Sequence, residues 1–118
     1  MPLSHNAKPW GGYVTLHKGS DYQVKRVEVN PQLRLSLQKH AQRSEKWMVV
    51  SGTGVATVGK NEIPVKRGSV IEIPKEEAHR MHNTGRDLLV FIEVQMGDYL
   101  GEDDIIRLED DFNRADNR

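Results

Sequence analysis

Two separated stretches of this chain carry side chains that could hold a metal ion. The first reads Gln38-x-His40-x4-Glu45-x6-Gly52 and the second Gly68-x5-Pro74-x4-His79-x3-Asn83. Gln38 and His40 are two positions apart, so an extended strand points both to one face. Glu45 follows after a turn, on the neighbouring strand. In the second stretch a strand runs to a proline-marked corner, and His79 opens the next strand. One amide oxygen, two imidazoles and one carboxylate could thus converge. Such a mixed nitrogen and oxygen set suits zinc first, and manganese, cobalt, nickel or iron after it, and leaves positions for water or substrate. The competing reading of the same residues is a buried hydrogen-bonded cluster that holds no metal.

The elements that must position these residues are short. Apolar runs are broken by turn residues about every 8–12 positions, the pattern of an antiparallel sandwich or barrel. Strands are expected over Val24–Val29, Leu33–His40, Glu45–Val50, Val55–Val58, Ile63–Val65, Val70–Ile73 and Leu88–Gln95. Within Leu33–His40 the even positions carry Arg34, Ser36, Gln38 and His40, and the odd ones three leucines. If the polar face looks into a barrel, Leu33, Leu35 and Leu37 need cover from outside, by the terminal segments or a second subunit. A homodimer is expected on that ground. Gly101–Phe112 spaces Ile105, Ile106, Leu108 and Phe112 among acids, which suggests a short terminal helix.

Composition sets the outer limits. A chain of 118 residues is one domain with one core. Seventeen basic residues balance 17 acidic ones, which argues against a general nucleic-acid or acidic-membrane surface. With no cysteine, disulfides and zinc-thiolate sites are excluded. No apolar stretch serves as a secretory signal or membrane span, so a cytoplasmic protein is expected.

The two stretches resemble the paired motifs of the cupins, G-x5-H-x-H-x(3,4)-E-x6-G and G-x5-P-x-G-x2-H-x3-N. Gln38 stands for the first histidine, Gln32 for the opening glycine and Glu76 for a second-motif glycine. The resemblance implies a single all-β cupin domain over 1–118, a double-stranded β-helix with its barrel core at about 22–97 and terminal segments packing outside. A closer likeness runs from about Lys8 to Arg114. It is carried by Lys8-Pro9-Trp10-Gly11-Gly12-Tyr13, by Arg43-Ser44-Glu45-Lys46-Trp47 and by Tyr99-Leu100-Gly101-Glu102-Asp103-Asp104. These are similar to the C-terminal isomerase domain of the type II mannose-6-phosphate isomerases, which are fused to a mannose-1-phosphate guanylyltransferase. Ala41, Gln42 and Lys46 stand where that family's run carries histidines, which removes candidate proton carriers.

The likeness implies metal-dependent interconversion of mannose 6-phosphate and fructose 6-phosphate, in the supply of GDP-mannose and polysaccharide precursors. The altered histidine run favours an alternative: a non-catalytic cupin module that binds metal and sugar phosphate and partners a separate guanylyltransferase chain. Isomerisation needs a base, stabilisation of an enediolate and a grip on phosphate. Arg43, two residues before Glu45, would point to the same cavity and contact phosphate or enediolate. Arg26 and Arg80 are further candidates for substrate binding. Glu93 shares parity with Phe91 and Gln95 and could line the pocket as the base, or pair with Lys25 or Arg26. His82 is out of step with His79 and faces away. Trp10 and Trp47 read as packing residues.

Overall fold

A computed structural model describes residues 5–112, and every element in it is a strand. The strands are β1 (His5–Lys8), β2 (Gly11–Lys18), β3 (Tyr22–Val29), β4 (Leu37–Lys39), β5 (Ser44–Ser51) and β6 (Gly54–Val58). They continue with β7 (Asn61–Val65), β8 (Val70–Ile73), β9 (His79–Asn83), β10 (Leu89–Met96) and β11 (Ile106–Glu109). One sheet has the order β1-β2-β3-β10-β5-β8 and the other β11-β4-β9-β6-β7. The two sheets face each other as a cupin barrel.

Period-two alternation builds the interior. On β3 the buried positions are Gln23, Lys25, Val27 and Val29; on β5 they are Glu45, Trp47 and Val49. β10 lies between these strands and pairs Phe91 with Val27 and Val49, Glu93 with Lys25 and Trp47, and Gln95 with Gln23 and Glu45. The inner face therefore changes character along its length, from an apolar floor to a polar mouth.

Several motif residues shape this frame. Asn83 is fully buried; its amide donates to the carbonyls of Val29 and Asp87, both at 2.8 Å, and its oxygen accepts from Gly85 N–H. Gly52 has φ +89, and a Cβ there would lie 2.7 Å from the Leu88 carbonyl oxygen, so only glycine fits. Gln32 and Glu76, which replace motif glycines, still adopt φ of 68° and 65°. The backbone course is kept without glycine, at a cost of about 1–2 kcal/mol per position.

The structure corrects three sequence expectations about elements. The terminal helix is absent: β11 forms instead, because its backbone pairs along the free edge of β4, a stronger demand than a weak helical period. The long strand over Leu33–His40 is reduced to β4, with Arg34 making only an isolated bridge to His82. Residues 33–36 keep backbone bonds to β9 but leave the regular ladder, and adjacent Leu35 and Ser36 are both buried. Leu35 enters the core and Leu33 packs against it, while Leu37 is half-buried. Finally, the N-terminal segment forms β1 and β2, which extend the larger sheet rather than pack over it. Their half-exposed pattern left little alternation to read. No helix among the described residues is long and apolar enough to cross a membrane.

Candidate metal centre

Three of the expected ligands meet at the polar mouth. His40, Glu45 and His79 are buried, and one ligand atom from each lies within 4.8 Å of the others. His40 Nε2 is 3.4 Å from Glu45 Oε2, and His79 Nε2 is 3.9 Å from Glu45 Oε1. Each imidazole is fixed from behind. His40 Nδ1 meets the Asp104 carbonyl at 2.5 Å, and His79 Nδ1 the Glu77 carbonyl at 2.9 Å. With Nδ1–H donating, each Nε2 presents a lone pair to the cluster, the arrangement a metal-binding histidine needs. Burial lowers the His40 pKa to about 4, so the imidazole is neutral at pH 7.

Glu45 is held as a carboxylate. Burial alone would raise its pKa, but the positive charges that His79, Arg43 and His40 can carry bring it below the ordinary value. With His40 neutral, the permanent charge of Arg43 is a constant part of that effect at pH 7. The Trp47 indole N–H donates to Glu45 Oε1 at 2.9 Å, and its ring stacks edge-on to His79 with centroids 5.6 Å apart. Trp47 is thus core packing and also the residue that orients Glu45. The donor set of two imidazoles and one carboxylate, buried and pre-oriented, fits a divalent ion such as zinc.

Gln38 stands opposite His79 in the β4–β9 register and lines the adjoining cavity. Its amide nitrogen donates to Ser36 Oγ at 2.9 Å, so its carbonyl oxygen is the end available to a metal. Arg43, 5% exposed, donates from Nε to Glu45 Oε2 at 2.9 Å and from Nη2 to His40 Nε2 at 3.1 Å.

Beyond Arg43 lies a cavity of about 130 Å³, whose lining includes Tyr13, Lys25, Gln38, Glu93 and Glu102. Burial, and then the charge of Glu45, push the Glu93 carboxyl up to about 7. Glu93 Oε2 accepts from Gln95, and Gln95 in turn accepts from Gln23 at 2.5 Å. Lys25 lies opposite Glu93 in register, yet its ammonium reaches Glu102 at 2.7 Å and sits 4.1 Å over the Tyr13 ring.

Arg26 and Arg80 do not reach this cavity. Arg26 is on the outer face of β3 and pairs with Glu28. Arg80 lies in a separate groove with Arg34 and His82, donating to the Leu35 carbonyl and to Glu109. Both are therefore corrected as candidates for this pocket, since strand parity turns them away from it. Sequence reasoning missed the cavity cations Lys8, Lys25 and Arg107. It also missed Asp104, whose carboxylate accepts the N–H groups of Ala41 and Gln42 at 3.0 and 2.9 Å. Lys25 alternates inward with Val27 on β3, a parity that pointed to it. Asp104 had no signal beyond its place in the Tyr99–Asp104 run. Ala41, Gln42 and Lys46, the departures from the histidine-rich run, are all exposed and stand outside the cluster.

Residues 3–110 match the family described as Mannose-6-phosphate isomerase C-terminal. The chain is 46% identical over 108 residues to xanthan biosynthesis protein XanB of Xanthomonas campestris pv. campestris, covering 92% of this chain and 23% of that one. It is likewise 46% identical over 108 residues to alginate biosynthesis protein AlgA of Pseudomonas aeruginosa, covering 92% of this chain and 22% of the relative. It thus spans under a quarter of the length of these relatives. Among solved structures, capsular polysaccharide assembling protein CapF from Staphylococcus aureus superposes with a TM-score of 0.82 at 26% identity, over 92% of this chain and 35% of that one. A cupin-2 domain from Rhodospirillum rubrum shares the fold, with a TM-score of 0.68 at 23% identity over 79% of this chain and 67% of that one. This chain belongs to the Mannose-6-phosphate isomerase C-terminal family and has the cupin fold.

Proposed function

We propose that this chain is a metal-dependent isomerase that interconverts mannose 6-phosphate and fructose 6-phosphate, in the supply of GDP-mannose for polysaccharide synthesis. The observation that carries the reading is the buried His40–Glu45–His79 cluster set beside a cavity that contains both Glu93 and several cations. The polysaccharide names of XanB and AlgA support the physiological setting.

His40, Glu45 and His79, with the carbonyl of Gln38, would hold the ion, zinc first. A divalent ion there supplies positive charge to two sugar oxygens, as Lewis acid and template. Glu93 is the proposed base. With its carboxyl pushed up to about 7, it exists in both protonation states near neutrality, as an acid–base catalyst should. Its carboxylate takes the proton from C2 of the aldose and returns it to C1. A hydroxyl proton moves from O2 to O1, so the ketose has the same atoms. Gln95 holds the Glu93 side chain in place. Lys8, Lys25, Arg43 and Arg107 supply the positive charge expected around a phosphate group.

A second reading is a binding module without turnover that partners a separate guanylyltransferase. It is favoured by Ala41, Gln42 and Lys46, which stand where histidines would supply further proton carriers. A coupled assay with mannose 6-phosphate, run across zinc, manganese, cobalt, nickel and iron, separates the two. Turnover with any ion supports the isomerase. Saturable sugar-phosphate binding without turnover leaves the module.

A further inference from the structure

We infer that Arg43 is a built-in competitor of the metal: its guanidinium holds His40 Nε2 and one carboxylate oxygen of Glu45, Oε2, so metal entry displaces it into the neighbouring cavity. The inference rests on the metal site proposed above and concerns what controls its loading.

The geometry is specific. Arg43 donates to Glu45 Oε2 at 2.9 Å and to His40 Nε2 at 3.1 Å. A lone pair given to a hydrogen-bond donor is not available to a metal. A guanidinium and a divalent ion on the same two atoms would also repel strongly in this buried setting. In the metal-free protein the arginine does what the ion would do, giving Glu45 a buried counter-charge.

Arg43 also forms the boundary between cluster and cavity. It touches His40 and Glu45 on one side and is itself part of the cavity lining on the other. The cavity gives a displaced guanidinium room and carboxylates. Glu93 and Glu102 both line it, and the charge of Arg43 already acts on each of them. The third guanidinium nitrogen, Nη1, is buried with no hydrogen-bond partner. An orphaned buried donor is costly. The position seen here is therefore a compromise that movement toward the cavity relieves. Metal loading would then move a positive charge from the cluster to the place where an anionic substrate has to be gripped.

Zinc affinity, measured by competition with a chelating dye on the whole chain, is the test. Arg43→Met and Arg43→Gln are expected to bind zinc about tenfold tighter than the wild type, the equivalent of one lost charge-assisted hydrogen bond. Equal or weaker binding in both variants would overturn the inference and leave the metal site standing. No zinc bound by any of the proteins would overturn both. If the uncharged variants fail to fold, Arg43→Lys keeps the charge on a shorter side chain, with one nitrogen in place of the two that now hold Glu45 and His40. It is expected to bind zinc more tightly than the wild type, and an unchanged affinity counts against the inference. NMR gives an independent readout in the wild-type protein. The Arg43 Nε–H resonance should shift on zinc addition as it leaves Glu45, and a resonance that stays in place while zinc binds would overturn the displacement.

Discussion

The two ends of the barrel interior are built on the same strands and do opposite things. At the floor, Val29, Val49, Leu89 and Phe91 exclude water completely and touch one another. At the mouth, further along those strands, Gln23, Lys25, Glu45, Glu93 and Gln95 are almost as buried, yet all are polar. The floor is stabilised by apolar burial, roughly 1.5–3 kcal/mol for each large side chain. The mouth has no such gain and must satisfy every donor and acceptor or be destabilised. It does so for most of them with a chain of contacts, Gln23 to Gln95 to Glu93, and Arg43 and Trp47 to Glu45, and leaves Arg43 Nη1 without a partner. Such a mouth gives up stability, and in return it holds a carboxyl whose pKa is near neutrality.

The contrast can be broken from the mouth first. Glu93→Gln keeps the shape and is expected to lower isomerase turnover about 10²–10⁴-fold, the usual worth of a positioned base. Its denaturation midpoint at pH 8 should not fall, because the native protein holds a disfavoured charge there. Turnover near that of the wild type would exclude Glu93 as the base.

At the floor the expectation reverses. Phe91 is fully buried and stacks on Trp47 with ring centroids 4.8 Å apart. Phe91→Ala should cost about 3–5 kcal/mol in urea unfolding, while the molecules that remain folded still bind metal. A loss of metal affinity as large as the loss of stability would show that the two ends are not separable.

Acid–base titration sharpens the same contrast. In folded protein the Glu93 carboxyl is raised from 4.5 to about 7, so between these values the native state holds a proton that the unfolded chain has released. Stability from this group therefore falls as pH rises through that window, by up to about 1.4 kcal/mol per pH unit. Urea midpoints of metal-free wild type and Glu93→Gln across this range check it; the variant should show the flatter profile.

The smallest expected effect lies in the corner before His79. Glu76 is exposed with φ 65°, and its N–H donates to the His40 carbonyl at 2.7 Å. Glu76→Gly relieves the left-handed strain but adds freedom to the unfolded chain, for a net gain of about 0.5 kcal/mol. Thermal melting would detect it, and a loss of stability would mean that the Glu76 side chain contributes more than its exposure suggests.

Most strands between Tyr22 and Met96 were legible because their alternation reports a surface with one wet and one dry side. The elements that were not legible lie at the margins. β1 and β11 lie at sheet edges and β2 is half-exposed, so side-chain pattern carries little information there. Leu33–Leu37 misled because the chain leaves the regular ladder there and buries adjacent Leu35 and Ser36, which breaks the alternation of a strand. Among the site residues, His40, Glu45 and His79 were readable from spacing alone. Arg26 and Arg80 were not, since their direction depended on the parity of strands whose limits were undefined.

By itself, the sequence determined the donor types, their order along the chain and the strands that carry them, because strand periodicity and metal-ligand chemistry are local properties. What only the tertiary structure decided is which charged groups share one low-dielectric space. That Arg43 bridges His40 and Glu45, that Glu93 faces Lys25 and feels Glu45, and that the Asp104 carbonyl fixes His40 all depend on sheet register and on chain brought from far along the sequence. Electrostatic coupling depends on distance and burial, and neither is written in the spacing of residues along the chain.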